Sequence, residues 1–160
     1  MTKVKPNAFE LLLRVRYAEC DPQNVVFNAR YADYADLAAT EFMRALIGGY
    51  QALTNQGLDN QVVNLNISWQ NSAKFDDILC LSVHVSKVGN TSFTMQIDML
   101  NWQTKQAVAS AEIVYVMVDS LTFEKKPVPN EFKATLLKGA PGRMMNLAGV
   151  ELSLGKEQTF

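Results

Sequence analysis

The 160-residue chain predicts an α+β fold in which one long helix lies against an antiparallel sheet of five or more strands. Three observations lead there. Residues 29–47 carry apolar side chains three and four positions apart, four later stretches alternate apolar and polar residues, and short turns separate the stretches. Length and a hydrophobic content of 48% indicate one domain across 1–160, with a core from about 9 to 138 and a tail from 139 to 160. A domain of this size buries roughly 70% of its unfolded surface, so it needs no disulfide or metal staple.

The first strand is expected over residues 9–19, where Leu13, Val15 and Tyr17 share a face opposite Arg14 and Arg16. Cys20-Asp21-Pro22-Gln23-Asn24 is turn chemistry: proline holds the preceding Asp21 extended, and Asn24 suits a positive φ. In the helix over 29–47, Tyr31, Tyr34, Ala35, Ala38, Phe42 and Leu46 form one stripe, with Asp33, Asp36 and Arg44 off it. Ala35, Ala38 and Ala39 are small enough to let the helix sit close to its neighbours. Asn28 is the expected N-cap, and Gly48-Gly49 ends the helix.

Strands follow. Over 61–69, Val63, Leu65, Ile67 and Trp69 share a face; over 78–88, Leu79, Leu81, Val83 and Val85 oppose Cys80, Ser82, His84 and Ser86. Gly89-Asn90 signals a hairpin into 91–102, where Phe93, Met95, Ile97 and Met99 align while Leu100 and Trp102 fall in the opposite phase. Residues 107–119 are nearly continuously apolar, as a central strand is. Pro127 and Pro129 mark a loop before a short helix over 130–138. In the tail, Val150-Glu151-Leu152-Ser153-Leu154 either adds a strand or stays loose.

One helix about 30 Å long covers only one face of such a sheet. The uncovered surface or an edge strand then needs a partner, which predicts a homo-oligomer, a dimer or a tetramer. Net charge is −1 and Lys125-Lys126 is the one adjacent basic pair, so no nucleic-acid partner is expected. No apolar run approaches the ~20 residues of a membrane span. The short polar start, Met1 to Asn7, does not read as a secretory signal. Cys20 and Cys80 are far apart with no CxxC, and no His stands at metal-ligand spacing. A cytoplasmic, reduced protein without a metal is expected.

The segment from Arg16 to Tyr31 carries the chemistry. Asp21 falls just before a helix start, where free backbone N–H groups cluster. A carboxylate beside preset donors is the minimum apparatus for attack on an activated carbonyl; the bland alternative is a turn aspartate ahead of Pro22. The motif Asp21-Pro22-x-x-Val25-Val26-Phe27-x-x-x-Tyr31-x-x-Tyr34-x-Asp36-x-Ala38 resembles the hotdog-fold family of 4-hydroxybenzoyl-CoA thioesterases and acyl-CoA thioester hydrolases. More weakly, the resemblance extends over residues 9 to about 137, including Phe75-Asp76-Asp77 and Pro127-x-Pro129.

The resemblance implies a hotdog fold and hydrolysis of an acyl- or aryl-CoA to free acid and CoA, with no cofactor beyond the CoA of the substrate. It places the nucleophile or general base on Asp21 and the oxyanion donor on backbone N–H at Phe27 and Asn28. Asn24, Val25 and Tyr31 become candidate substrate contacts. Two departures stand out: members commonly have Gly at the position of Asn24, and Tyr or His at that of Asn28.

The remaining residues of interest read more plainly. Tyr34 suits core packing, and Asp36 a solvated acid or a supporting role. His84, on a polar strand face, reads as a surface histidine; Cys20 lacks a partner His. Glu112 faces solvent, an interface, or is a buried acid. Lys87, Lys105, Lys125 and Lys126 lie near turns and are candidates for the CoA phosphates. Competing functions are a hotdog dehydratase, disfavoured by the single His outside the motif, a thioesterase acting on acyl carrier protein, and a non-catalytic acyl-thioester binder or assembly subunit.

Overall fold

The computed structural model describes residues 8–152. In chain order the elements are β1 (Phe9–Arg14), a 3-10 turn (Tyr17–Glu19), α1 (Arg30–Ile47), α2 (Gln51–Thr54), β2 (Leu58–Trp69), β3 (Ile78–Val88), β4 (Ser92–Asn101), β5 (Ala107–Asp119), α3 (Asn130–Lys138) and β6 (Met144–Asn146). The strands form one sheet in the order β2-β5-β4-β3-β1-β6, antiparallel throughout except that β6 runs parallel to β1. α1 lies along the inner face of this sheet, the expected arrangement with a sixth strand added.

Alternation fixes which side chains meet α1. Leu79, Leu81, Val83, Phe93, Met95, Ile97 and Met99 are all buried beneath it. Ala35 and Ala38 are fully buried, so the helix backbone approaches the strands closely, and Phe42 meets Phe9 at a ring-centroid distance of 5.8 Å. Gly48 ends α1 at φ 86°, with its N–H donating to Arg44 O.

The first strand is shorter than its pattern suggests. It stops at Arg14, because Glu19 turns back to accept the Arg16 N–H and the chain winds into a 3-10 turn. Tyr17 therefore does not share a buried face with Leu13 and Val15; it is 81% exposed.

The tail contributes its strand at Met144–Asn146, upstream of the stretch singled out by composition; residues 153–154 of that stretch lie outside the described residues. β6 covers the free edge of β1 and helps build a second apolar cluster on the outer face: Leu12, Ile78, Cys80, Met144 and Ala148, flanked by Leu100, Trp102, Val150 and Leu152. This explains the reversed phase of Leu100 and Trp102, and it makes Cys80 buried on a face that looked polar. Farther along that face the sheet is open to solvent at Glu112.

At the opposite end, β2 is the edge strand, and α1 covers it only in part, through the contact of Tyr31 with Trp69. Leu65 and Trp69 lie opposite Ile113 and Ala109 on the helix side, whereas an irregularity in the pairing at Val63 breaks the expected single face; Val63, Leu65 and Trp69 are 59%, 41% and 51% exposed. No helix among the described residues is long and apolar enough to cross a membrane.

Candidate active site

The segment between the 3-10 turn and α1 is a small closed hairpin. Cys20 pairs with Val26, Asp21 N–H donates to Val25 O at 2.9 Å, and Asn24 N–H donates to Asp21 O at 2.9 Å. Asn24 holds a φ of 61°, the left-handed conformation that asparagine tolerates. Asp21, at the hairpin's entrance, is partly buried. Its Oδ1 accepts the Gln23 N–H at 2.8 Å, which fixes the carboxylate, and its Oδ2 has no hydrogen bond among the described residues.

Two bonds tie the hairpin to its surroundings. Val26 N–H donates to Ala73 O at 2.8 Å, and Phe27 N–H donates to Glu19 O at 2.9 Å. The second bond bears on the expected oxyanion donors. The Phe27 N–H is occupied within the fold, whereas the N–H groups of Asn28 and Ala29 have no hydrogen-bond partner among the described residues. The first turn of α1 is tightened by bonds from Arg30 to Phe27 O and from Tyr31 to Asn28 O. Asn28 is not the N-cap: Ala29 stands there in helical conformation, and no side-chain oxygen caps it. Those orphan donors, at the positive end of the helix dipole, are what an anion or a developing oxyanion finds.

A cavity of about 250 Å³ opens at this helix start, lined by Val26, Asn28, Tyr31, Trp69, Gln70, Asn71 and Ser72. Tyr31 is buried and meets Trp69 edge-on at 6.2 Å. Burial pushes the Tyr31 phenol above its ordinary range, opposed by a backbone hydrogen bond at Ala73. The wall formed by 70–72 is fixed from behind: Gln70 and Asn71 N–H both donate to Val108 O, and Asn71 Nδ2 donates to Ala107 O. Of the expected substrate contacts, Tyr31 lines this cavity, while Asn24 and Val25 lie in the adjacent hairpin outside its lining, as does Asp21, the expected nucleophile or base.

Asp36 sits elsewhere. It lines a cavity of about 210 Å³ farther along α1, together with Met43, Tyr50, Leu53, Asn60 and Tyr115. The lysines are dispersed: Lys105 Nζ lies 3.5 Å above the Trp102 ring, and Lys126 Nζ is 3.9 Å from Asp119. None lines the cavity at Asn28.

Sequence reasoning passed over Glu19. It is 6% exposed, and its carboxylate takes the Arg16 N–H at 2.8 Å, the Arg16 guanidinium at 2.8 and 3.0 Å, and the Tyr34 hydroxyl at 2.8 Å. Burial drives its pKa up, but the hydrogen bonds from Arg16 and Tyr34 outweigh burial and hold it below the usual carboxylate range. The signal available in the sequence was an arginine three residues ahead of an acid at the end of a strand.

The sequence model of the thioesterase superfamily matches residues 23–108, more than half of the chain. The chain belongs to the thioesterase superfamily. The matched span begins two residues after Asp21. Among relatives of this superfamily member, the acyl-CoA thioesterase YbgC of Haemophilus influenzae is 30% identical over 80% of this chain and 93% of its own. The acyl-CoA thioester hydrolase YbgC of Escherichia coli is 25% identical over 79% of this chain and 93% of its own. Among solved structures, the probable thioesterase YbaW of Escherichia coli superposes with a TM-score of 0.73 at 23% identity, covering 82% of this chain and 98% of that one. A mutant 4-hydroxybenzoyl-CoA thioesterase in complex with 4-hydroxybenzoyl-CoA gives 0.73 at 18% identity, covering 81% and 99%. These structures establish the hotdog fold for this superfamily member.

Proposed function

We propose that this chain hydrolyses acyl- or aryl-CoA thioesters, with Asp21 as nucleophile or general base. The observation that carries the reading is the pair of N–H groups at Asn28 and Ala29, unpartnered among the described residues, at an aromatic-walled cavity, with the fixed Asp21 carboxylate in the adjoining hairpin. The thioester carbonyl oxygen sits at the helix start. Negative charge developing on it meets donors already in place, each typically worth about 3–4 kcal/mol of barrier. Asp21 either attacks the carbonyl carbon, expelling CoA thiolate and leaving a mixed anhydride that water cleaves, or removes a proton from an attacking water. A thiolate leaves without a dedicated acid, so the lack of a histidine in this segment is no obstacle. The chemistry calls for no cofactor beyond the CoA of the substrate.

The working form in this reading is a homo-oligomer. β2 is an edge strand, neighboured by β5 alone among the described residues, and the Val63, Leu65 and Trp69 side chains along it are apolar and exposed. Pairing of two β2 edges satisfies the backbone and buries that row. The separated Cys20 and Cys80 go with a reducing compartment such as the cytoplasm.

The test is free-thiol release from short-chain, long-chain and aromatic acyl-CoAs. Turnover with at least one of them supports the reading, and the best substrate names the acyl class. Release only from acyl-carrier-protein thioesters replaces CoA by that carrier. Binding of acyl-CoA without turnover of either thioester makes the chain a non-catalytic binder.

A further inference from the structure

Three pieces of chain must be held in register for the site to work: the end of β1, the hairpin carrying Asp21, and the start of α1. We propose that Glu19 is the residue that holds them, a positioning residue for hydrolysis rather than a group that touches substrate. Its two polar ends act on opposite sides of the site. The main-chain carbonyl accepts the Phe27 N–H at 2.9 Å and closes the hairpin two residues before Asp21. That bond engages the Phe27 N–H and leaves the next one, that of Asn28, as the first donor without a partner among the described residues. The carboxylate reaches the other way, to the Arg16 N–H, the Arg16 guanidinium and the Tyr34 hydroxyl.

Tyr34 lies one helical turn after Tyr31 and meets it edge-on at 5.8 Å. The Glu19–Tyr34 bond thus sets the position of α1 relative to the Asp21 hairpin, through a residue packed against a wall of the cavity. A carboxylate 6% exposed with four donors on it is a stiff joint, although a cavity lined by Arg16, Glu19 and Tyr34 borders it. A shift of about 1 Å between an attacking group and an oxyanion donor can cost roughly 100-fold in rate. Substrate binding depends less on this distance, because most of a CoA ester lies away from the carbonyl.

The inference rests on the thioesterase reading above, and the experiment separates the two. Glu19→Gln, Tyr34→Phe, the double variant and Asp21→Asn are assayed beside wild type with the best acyl-CoA, well below their melting temperatures. Glu19→Gln should lower kcat about 10–100-fold with KM within about threefold, and Tyr34→Phe should lower kcat about 3–10-fold. The double variant should be no slower than Glu19→Gln alone, because both substitutions break one joint. If Glu19→Gln does not fold, the kcat loss in Tyr34→Phe decides. An inactive Asp21→Asn beside a folded Glu19→Gln with wild-type kcat overturns the role of Glu19 and leaves the thioesterase reading standing. An active Asp21→Asn overturns the role of Asp21, and with it the site that Glu19 is proposed to hold in register.

Discussion

The Tyr34 hydroxyl donates to Glu19 Oε2 at 2.8 Å, and both side chains are buried. The bond joins α1 to the turn that precedes the Asp21 hairpin. Its removal leaves one acceptor site of a buried carboxylate empty. Tyr34→Phe should therefore destabilise the fold by about 1–3 kcal/mol in denaturant unfolding. A change below about 0.5 kcal/mol would mean that water takes the place of the hydroxyl.

Acid should act on the same joint. Burial raises the Glu19 pKa, but hydrogen bonds from Arg16 and Tyr34 bring it below its ordinary 4.5 in the folded chain. A group depressed on folding stabilises the fold above its unfolded pKa and loses that contribution as pH falls through the folded value. The stability difference between wild type and Glu19→Gln should be constant from about pH 6 upward and shrink below about pH 4. A difference unchanged down to about pH 3 contradicts this.

The oxyanion role proposed for Asn28 uses its backbone, which separates it from any side-chain role. Asn28→Ala should keep kcat within a few-fold. Asn28→Pro removes an N–H that bonds to nothing among the described residues, and in the variant that folds should cost about 100–1,000-fold in kcat. Equal effects of the two substitutions would place the contribution in the side chain.

Met144, fully buried beneath the outer face, tests the tail. Met144→Ala should destabilise by about 2–5 kcal/mol through the cavity it leaves. It should leave kcat unchanged, since β6 lies beyond β1 from the cavity at Asn28. A kcat loss at a temperature where the variant is folded would tie the tail to the site.

The exposed row on β2 predicts association. Val63→Lys with Leu65→Lys places charge along the free edge and should lower the sedimentation mass of the wild-type oligomer. A wild-type protein that sediments as a monomer contradicts pairing through β2.

Most of the fold was legible because its signals are periodic. The stripe from Tyr31 to Leu46 marked α1 within a residue, and 107–119 was read with the bounds of β5. What failed was local chemistry overriding period. Leu13, Val15 and Tyr17 alternate as a strand does, yet Glu19 captures the Arg16 N–H and turns the chain. β6 was invisible for the opposite reason: three residues, Met144 to Asn146, are too few to show alternation, and only the docked register against Glu10 to Leu12 makes them a strand. Around the site, the positive φ at Asn24 could be read from residue type. Which N–H is free could not, since the occupied one at Phe27 depends on a carbonyl eight residues earlier. Glu19 itself looked like an ordinary strand-end acid, because its partner Tyr34 lies fifteen residues away.

In the proposed mechanism Asp21 performs the chemistry. Asp21→Asn keeps size and the acceptor for the Gln23 N–H while removing the charge. Free-thiol release from the best acyl-CoA should fall at least 1,000-fold in kcat, an order of magnitude set by loss of a nucleophile or base, with substrate still bound. A variant that turns over at the wild-type rate would place the reaction elsewhere in the molecule.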